Sequence, residues 1–145
     1  MTELSSLISE ILENGGEVVF TITGNSMFPM LHHRIDKVCL VKPPEEPLKK
    51  YDIPLFVRKD GTYVLHRIVE VKPEGYVIMG ENQLVKEYPV LHSQVLGLVR
   101  GFWRNGKYFS CDDFLYRAYC RLWVLGYPIR RLYFRVKQAF KICAK

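Results

Sequence analysis

The spacing of apolar residues near the start of the chain predicts a short amphipathic helix. Leucine and isoleucine recur at three- and four-residue intervals, at Leu4, Leu7, Ile8, Ile11 and Leu12, which places them on one helix face. The pair Gly15-Gly16 follows the stripe and favours the end of a helix. We therefore predict a helix over residues 3–13, within an N-terminal segment 1–16.

A different pattern follows, with short runs rich in β-branched and aromatic residues. The strand-like runs are EVVFTI, KVCLV, IPLFVR, YVLHRIVEV, YVIMG and VLGLVRGFW. Loop and hairpin signals such as KPPEEPLKK, KDG and KPEG separate them, and no helical pattern intervenes. Such strands pair with their neighbours, so we predict a mainly β domain over residues 17–110, built as a small antiparallel barrel or folded ribbon.

Residues 111–145 change in character and carry aromatic and basic residues at helical spacing. Asp112 or Asp113 is a candidate helix N-cap, and Gly126-Tyr127-Pro128 predicts a break between two helices. One apolar stripe comprises Ile129, Leu132, Tyr133, Val136 and Phe140. Two interpretations stay open for this tail. It is either an interfacial element lying on anionic lipid or a helical hairpin packed on the β domain.

Composition and charge narrow the classes of function. The chain has 145 residues, 48% of them hydrophobic, and a formal net charge of +6. That is enough apolar material for one core. The positive charge permits anionic lipid or nucleic acid as a partner. Because residues 112–145 are more aromatic than a phosphate-binding helix requires, we do not expect nucleic acid to be the partner.

Targeting signals, cysteines and histidines point to a cytoplasmic protein without a metal or cofactor. The acidic N-terminus lacks the pattern of a secretory signal, and no run is long and apolar enough to predict a transmembrane helix. The four cysteines form no CxxC pair and are expected to be reduced thiols. Neighbours such as His32-His33 point apart in an extended chain, which disfavours a shared metal.

Ser26 is the first candidate for chemistry. It lies in the stretch TITGNSMFPML, where Gly24-Asn25 predicts a turn that presents Ser26 on its outside and Pro29 stiffens the following chain. That position suits a nucleophile, and it equally suits an ordinary surface serine. A nucleophilic serine needs a general base within hydrogen-bond reach.

His66 is the candidate base. In a single strand YVLHRIVEV, strict alternation places Val64, His66 and Ile68 on one face and Leu65, Arg67 and Val69 on the other. Burial among apolar neighbours lowers the pKa of a histidine and keeps it neutral, as a general base requires. The alternative is a histidine at the edge of the core, bonded to a backbone carbonyl.

Four motifs that occur in order along the β region resemble a known family. They are GNSMFPML, KKYDIPLFV, VLHRIVEV and YVIMGENQ. Together they resemble the successive boxes of the signal peptidase I and LexA-type serine peptidase superfamily. The resemblance implies the small antiparallel β fold of that superfamily and hydrolysis of peptide bonds by a serine nucleophile.

The resemblance also implies roles for single residues. Ser26 matches the nucleophile, and His66 matches the base of the archaeal and endoplasmic-reticulum signal peptidases, where most bacterial members have lysine. Met27 and Pro29 match residues that shape the nucleophile loop. The expected oxyanion donors are the backbone amides of Ser26 and its neighbours in the turn from Gly24 to Met27, which includes Asn25.

The acidic partner of His66 stays open between two residues. Glu81 stands where the histidine-type enzymes have Asp, and Glu87 lies six positions further on, where those enzymes also have an acid. Either carboxylate is also a good surface residue. Other departures from the family pattern are Ile35 in place of the usual Gly before Asp36, and Tyr51-Asp52 in place of Gly-Asp.

These observations predict a serine endopeptidase that cleaves a peptide or protein precursor, with Ser26 as nucleophile and His66 as general base. Two alternatives remain. One is a non-catalytic relative that binds through its β domain and associates with a membrane through its basic tail. The other is a maturation protease held on the inner face of the membrane by residues 112–145, rather than a freely cytoplasmic enzyme.

Overall fold

Nine β-strands and three α-helices make up residues 3–143, the part of the chain that the computed structural model describes. The helices are α1 (Glu3–Glu13), α2 (Phe114–Leu125) and α3 (Tyr127–Cys143). The strands are β1 (Val18–Thr21), β2 (Lys37–Val41), β3 (Pro54–Val57), β4 (Tyr63–Leu65), β5 (Arg67–Lys72), β6 (Gly75–Met79), β7 (Glu87–Val90), β8 (Val95–Arg104) and β9 (Lys107–Ser110). The predicted fold class is confirmed, since the protein is mainly antiparallel β with a curled half-barrel sheet.

The larger sheet has the order β1-β2-β8-β3-β4, with β9 paired to the end of β8. The long strand β8 holds this sheet together because it pairs with β2, β3 and β9. Helix α1 covers the sheet and buries Ile8 and Leu12 in the main core. The predicted helix over residues 3–13 is thereby confirmed, and the amide of Gly16 donates to the Ile11 carbonyl as the helix ends.

The smaller sheet, β5-β6-β7, corrects one prediction. The run YVLHRIVEV is two strands rather than one, because β4 ends at Leu65 in the larger sheet and β5 begins at Arg67 in the smaller sheet. His66 is the single residue between them. Alternation fails there, and His66, Arg67, Ile68 and Val69 are all buried, since protein covers both sides of the crossing chain.

A second apolar cluster joins the two sheets. Phe56 and Val64 from the larger sheet contact Ile68 and Ile78 from the smaller one. The two sheets therefore contact each other through buried apolar side chains near the crossing at His66.

The C-terminal helices show the predicted break at Gly126, and the two helices differ in how they contact the β domain. Helix α2 buries Cys120, and its aromatic neighbours Tyr116 and Tyr119 pack against the main core. No residue of α3 is buried. Asp113 occupies the N-cap position of α2, although its carboxylate accepts a hydrogen bond from the Ser110 amide rather than from the helix.

Candidate active site

Ser26 lies in a tight loop that follows β1. The Phe28 amide donates to the Asn25 carbonyl at 3.1 Å, and the Leu31 amide donates to the Met27 carbonyl at 2.9 Å. Met27 and Leu31 are buried and anchor the loop, whereas Ser26 is partly exposed. Buried residues after Ser26 thus hold the loop against the core while its hydroxyl-bearing side chain is accessible.

Polar contacts hold the two ends of this loop together. Gly24 has φ +90°, a left-handed conformation that favours glycine, and its amide donates to His33 Nδ1 at 2.7 Å. The fully buried carboxylate of Asp36 accepts from the His32 amide at 2.9 Å and lies 3.5 Å from Arg104 Nε on β8. These contacts fix the loop to the larger sheet. The two histidines take part in separate loop contacts.

The Nε2 edge of the His66 ring faces the Ser26 loop. A methyl group built on Gly80 would lie 2.8 Å from the Ser26 carbonyl oxygen and 3.0 Å from His66 Nε2, so both atoms lie within 3.0 Å of one point. The Asn82 amide donates to the same Ser26 carbonyl at 2.8 Å. The turn after β6 therefore joins the serine loop to the imidazole. No hydrogen bond links the Ser26 hydroxyl to His66 within residues 3–143.

The Nδ1 edge of the same ring faces Glu87. His66 Nδ1 lies 3.5 Å from Glu87 Oε1, longer than a normal hydrogen bond. Glu87 is held in place by Arg58, which donates through Nε at 2.9 Å and Nη2 at 2.5 Å. This bidentate geometry is the strongest form of a charge-assisted contact.

Burial and charge give the site its protonation state. Burial lowers the pKa of His66; the Glu87 carboxylate opposes this change and the Arg58 guanidinium adds to it. The hydrogen bonds from Arg58 lower the pKa of Glu87. At neutral pH the site therefore combines a neutral imidazole with an ionised carboxylate, the pairing that a general base and its orienting acid need.

The other acid, Glu81, has a different environment. It is buried against Arg67, whose Nε donates to Glu81 Oε1 at 2.7 Å, and it accepts a hydrogen bond from the Tyr119 hydroxyl at 2.5 Å. Among the described residues no hydrogen bond or ion pair connects Glu81 with His66. Of the two acids that the sequence left open, Glu87 is the one in contact with the imidazole, so the prediction of Glu81 as an orienting acid is corrected.

A cleft of about 330 Å³ contains both candidate residues. Its walls are formed by β1 with the loop that follows it and by the hairpin of β3 and β4. Ser26 and His66 line it together with apolar side chains such as Phe20 and Leu55. The cleft therefore has room for a ligand next to the hydroxyl and offers it both polar and apolar contacts.

Backbone amides near Ser26 are available to a ligand. The Gly24 amide is already donated to His33, which removes it from the predicted oxyanion donors. Within the described chain the amides of Asn25, Ser26 and Met27 donate to no protein acceptor. Two or three of these amides are the donors with which such a loop could stabilise a developing oxyanion.

Two residues of the site were not predicted. Arg58 is the last residue of the strand-like run IPLFVR, and nothing in the sequence indicates that its side chain binds Glu87. Gly80 belongs to a recognised motif, but its role is steric: it leaves the space in which the Ser26 carbonyl and His66 approach each other. The signal in the sequence was a glycine at the end of the apolar strand YVIM, directly before the acidic Glu81.

Comparison with family models and with curated protein sequences identified no relative of this protein. No family model matches the chain, and no curated protein sequence matches it. None of the helices within residues 3–143 combines the length and apolarity needed to cross a lipid bilayer. The assignment of a function therefore depends on the motifs and on the geometry of the site.

Proposed function

We propose that the protein is a serine endopeptidase in which Ser26 attacks the peptide carbonyl and His66 acts as general base. One observation carries the proposal: the two nitrogens of a buried imidazole face a serine loop on one side and an ionised carboxylate on the other. The resemblance of the four motifs to the signal peptidase I and LexA-type superfamily supports the same roles.

The reaction follows from this arrangement. His66 Nε2 accepts the proton of the Ser26 hydroxyl as Oγ adds to the carbonyl carbon of the substrate, and amides of the loop donate to the resulting oxyanion. The imidazolium then gives its proton to the departing amine, which leaves an acyl-enzyme. A water molecule, deprotonated by the same imidazole, hydrolyses the ester. Glu87 stabilises the imidazolium and Arg58 holds Glu87 in position.

An extended peptide is the substrate form that the cleft favours. β1 and β4 are the two ends of the larger sheet, and each pairs with a single neighbour among the described strands. Both contribute to the walls of the cleft. Their unpaired backbone groups would bind an extended chain through main-chain hydrogen bonds. A precursor cleaved here would thus present an unfolded segment.

We also propose that the enzyme works in a reducing compartment such as the cytoplasm. Four cysteines are present and all are free thiols. A secreted domain with this number of cysteines would usually pair them.

The alternative function is peptide binding without hydrolysis. The observation in its favour is the lack of a hydrogen bond between the Ser26 hydroxyl and His66 in the described structure. In a peptidase this bond forms when substrate closes the site, and it is often long without substrate. A fluorophosphonate probe separates the two, since it labels an activated serine only.

The deciding experiment compares Ser26→Ala with wild type on a mixture of unstructured peptides, with products read by mass spectrometry. We expect wild type to cleave and the variant to lose at least about a thousandfold in rate. Ser93→Ala is the matched control, because Ser93 is exposed and lies outside the cleft. Cleavage that persists in Ser26→Ala would refute the assignment, and wild type that binds peptides without cleaving or labelling would support the alternative.

A further inference from the structure

The C-terminal helices carry an apolar surface that their own domain does not cover. We call it the outer stripe and define it as Leu115, Leu122, Leu125, Ile129, Leu132, Val136 and Phe140. These side chains are between 46% and 80% exposed. Within each helix they recur at intervals that place them on one face.

The outer stripe lies opposite the face that packs on the β domain. Tyr116, Tyr119 and Cys120 point into the protein, while Leu115 and Leu122 point away from it. Helix α2 is therefore apolar on two faces, and a helix of that kind is normally covered on both. The outer face has no cover within the described residues.

The stripe continues from α2 into α3 because the break at Gly126 is small. Gly126 keeps right-handed helical dihedrals, its amide donates to the Leu122 carbonyl, and the Arg130 amide donates to the Gly126 carbonyl. Helical hydrogen bonding thus spans the break and preserves the phase of the stripe. The two helices present one elongated apolar surface.

The charges on α2 and α3 indicate which kind of partner covers the outer stripe. Residues 114–143 contain seven Lys or Arg and no Asp or Glu. Most of these cations are exposed, and within residues 3–143 none of the seven forms an ion pair. A second copy of the chain is disfavoured, because pairing two such helices would bring like charges together without an acidic partner. Anionic lipid supplies both an apolar layer and the opposite charge.

We propose that α2 and α3 lie in the plane of an anionic membrane surface, with the outer stripe in the acyl boundary and the basic residues at the headgroups. Neither helix can cross the bilayer, so the contact is peripheral. The exposed ring of Tyr133 suits the interfacial zone, where an amphipathic ring has one apolar and one wet end. The proposal does not depend on hydrolysis, and Ser26→Ala should bind membranes as wild type does.

The first test measures flotation of the full chain with vesicles of equimolar phosphatidylcholine and phosphatidylglycerol, and with vesicles of phosphatidylcholine alone. We expect binding to the anionic vesicles and much weaker binding to the neutral ones. The double variant Leu122→Ser/Leu132→Ser should lower the affinity by about tenfold per leucine. Val85→Ser is the matched control, since Val85 is equally exposed but lies outside the two helices.

The second test removes charge rather than apolar surface. Arg131→Ser and Arg135→Ser should each weaken binding to anionic vesicles by about fivefold, since each basic residue near the surface contributes about that factor. Raised salt should weaken wild-type binding as well. Lys59→Ser, at an exposed lysine in the β3–β4 turn, should have no effect.

The outcomes separate membrane from other occupants. Circular dichroism confirms that the exposed substitutions leave the helices intact. The proposal is overturned if the wild-type chain does not float with anionic vesicles, or if Leu122→Ser/Leu132→Ser binds them as well as wild type. It is also overturned if sedimentation shows a dimer that dissociates in Leu122→Ser/Leu132→Ser while vesicle binding is absent, because a second copy then covers the stripe.

Discussion

The buried ion pair between Arg67 and Glu81 leads to a large, specific effect on stability. Both side chains are about 1% exposed, and the guanidinium also donates to the Tyr51 carbonyl at 2.9 Å and the Tyr116 hydroxyl at 3.2 Å. Glu81→Gln keeps the shape of the side chain but removes its charge. The guanidinium would then be buried without a counter-ion, a state that costs about 3–5 kcal/mol.

The measurement is urea unfolding followed by circular dichroism at neutral pH. A domain of this kind has a free energy of unfolding of about 5–15 kcal/mol, so a loss of about 3–5 kcal/mol should lower the urea midpoint strongly at unchanged m value. Glu13→Gln is the matched control, because it makes the same chemical change in the exposed pair with Lys42. That variant should unfold as wild type does.

A double-mutant cycle tests the cause. In Arg67→Met no guanidinium remains to be stranded, so adding Glu81→Gln should cost about 2 kcal/mol less than it costs in wild type. Two results would refute the reasoning. One is a Glu81→Gln variant as stable as Glu13→Gln, and the other is strict additivity in the cycle.

Three further predictions concern the site and the thiols. Glu87→Gln should lower the pKa of His66 further below 6.5, because the Glu87 carboxylate raises that pKa, and Arg58→Met should raise it, because the guanidinium lowers it. Proton NMR titration of the imidazole measures both shifts. Equal pKa values of His66 in the two variants would contradict the contact between His66 and Glu87. Gly80→Ala should slow the proposed peptide cleavage by about a hundredfold, because the added methyl group would push apart His66 and the Ser26 loop. The free energy of unfolding should fall by only about 1–3 kcal/mol. A variant that cleaves at the wild-type rate would contradict the close approach of His66 to the Ser26 loop at Gly80. Iodoacetamide should modify the exposed Cys143 first, because burial raises the pKa of the other three thiols. Mass spectrometry of partially labelled protein gives the order of modification. Equal rates of modification at all four cysteines would contradict this prediction.

In the proposed mechanism, the loss of activity at low pH follows the protonation of His66. Its pKa in the folded protein is lowered, so the base stays neutral to a pH below 6.5. Protonation of the imidazole therefore favours unfolding as the pH falls below 6.5, because the unfolded chain binds that proton more tightly. Stability should therefore begin to decline as the pH falls below about 6.5, whereas the proposed activity should decline only at lower pH, where the imidazole of the folded protein is protonated.

Much of the fold could be predicted because local patterns determine it. The helix over residues 3–13, six strand-like runs and the break near Gly126 follow from spacing and turn residues. Strand β7 was missed because Glu87–Val90 contains a proline and lacks apolar alternation. Strand β9 was also missed, although Asn105-Gly106 before it is a hairpin signal.

The candidate site was predictable only in part. Ser26 and His66 stand out from turn chemistry and from their motifs, but sequence spacing could not choose between Glu81 and Glu87. The choice depends on the pairing of β6 with β7, which sets Glu87 opposite Ile78. The register in which two strands pair cannot be predicted from the spacing of residues along the sequence.

The crossing of the chain between two sheets at His66 has a consequence for the cell. The serine loop is fixed to the larger sheet, whereas Gly80 and Glu87 belong to the smaller one. The groups that the proposed hydrolysis requires are thus divided between two sheets that must both be folded and docked. Under the proposed mechanism, a copy in which the two sheets are not yet docked would hold Ser26 apart from His66 and Glu87, so we expect cleavage to require the fully folded domain.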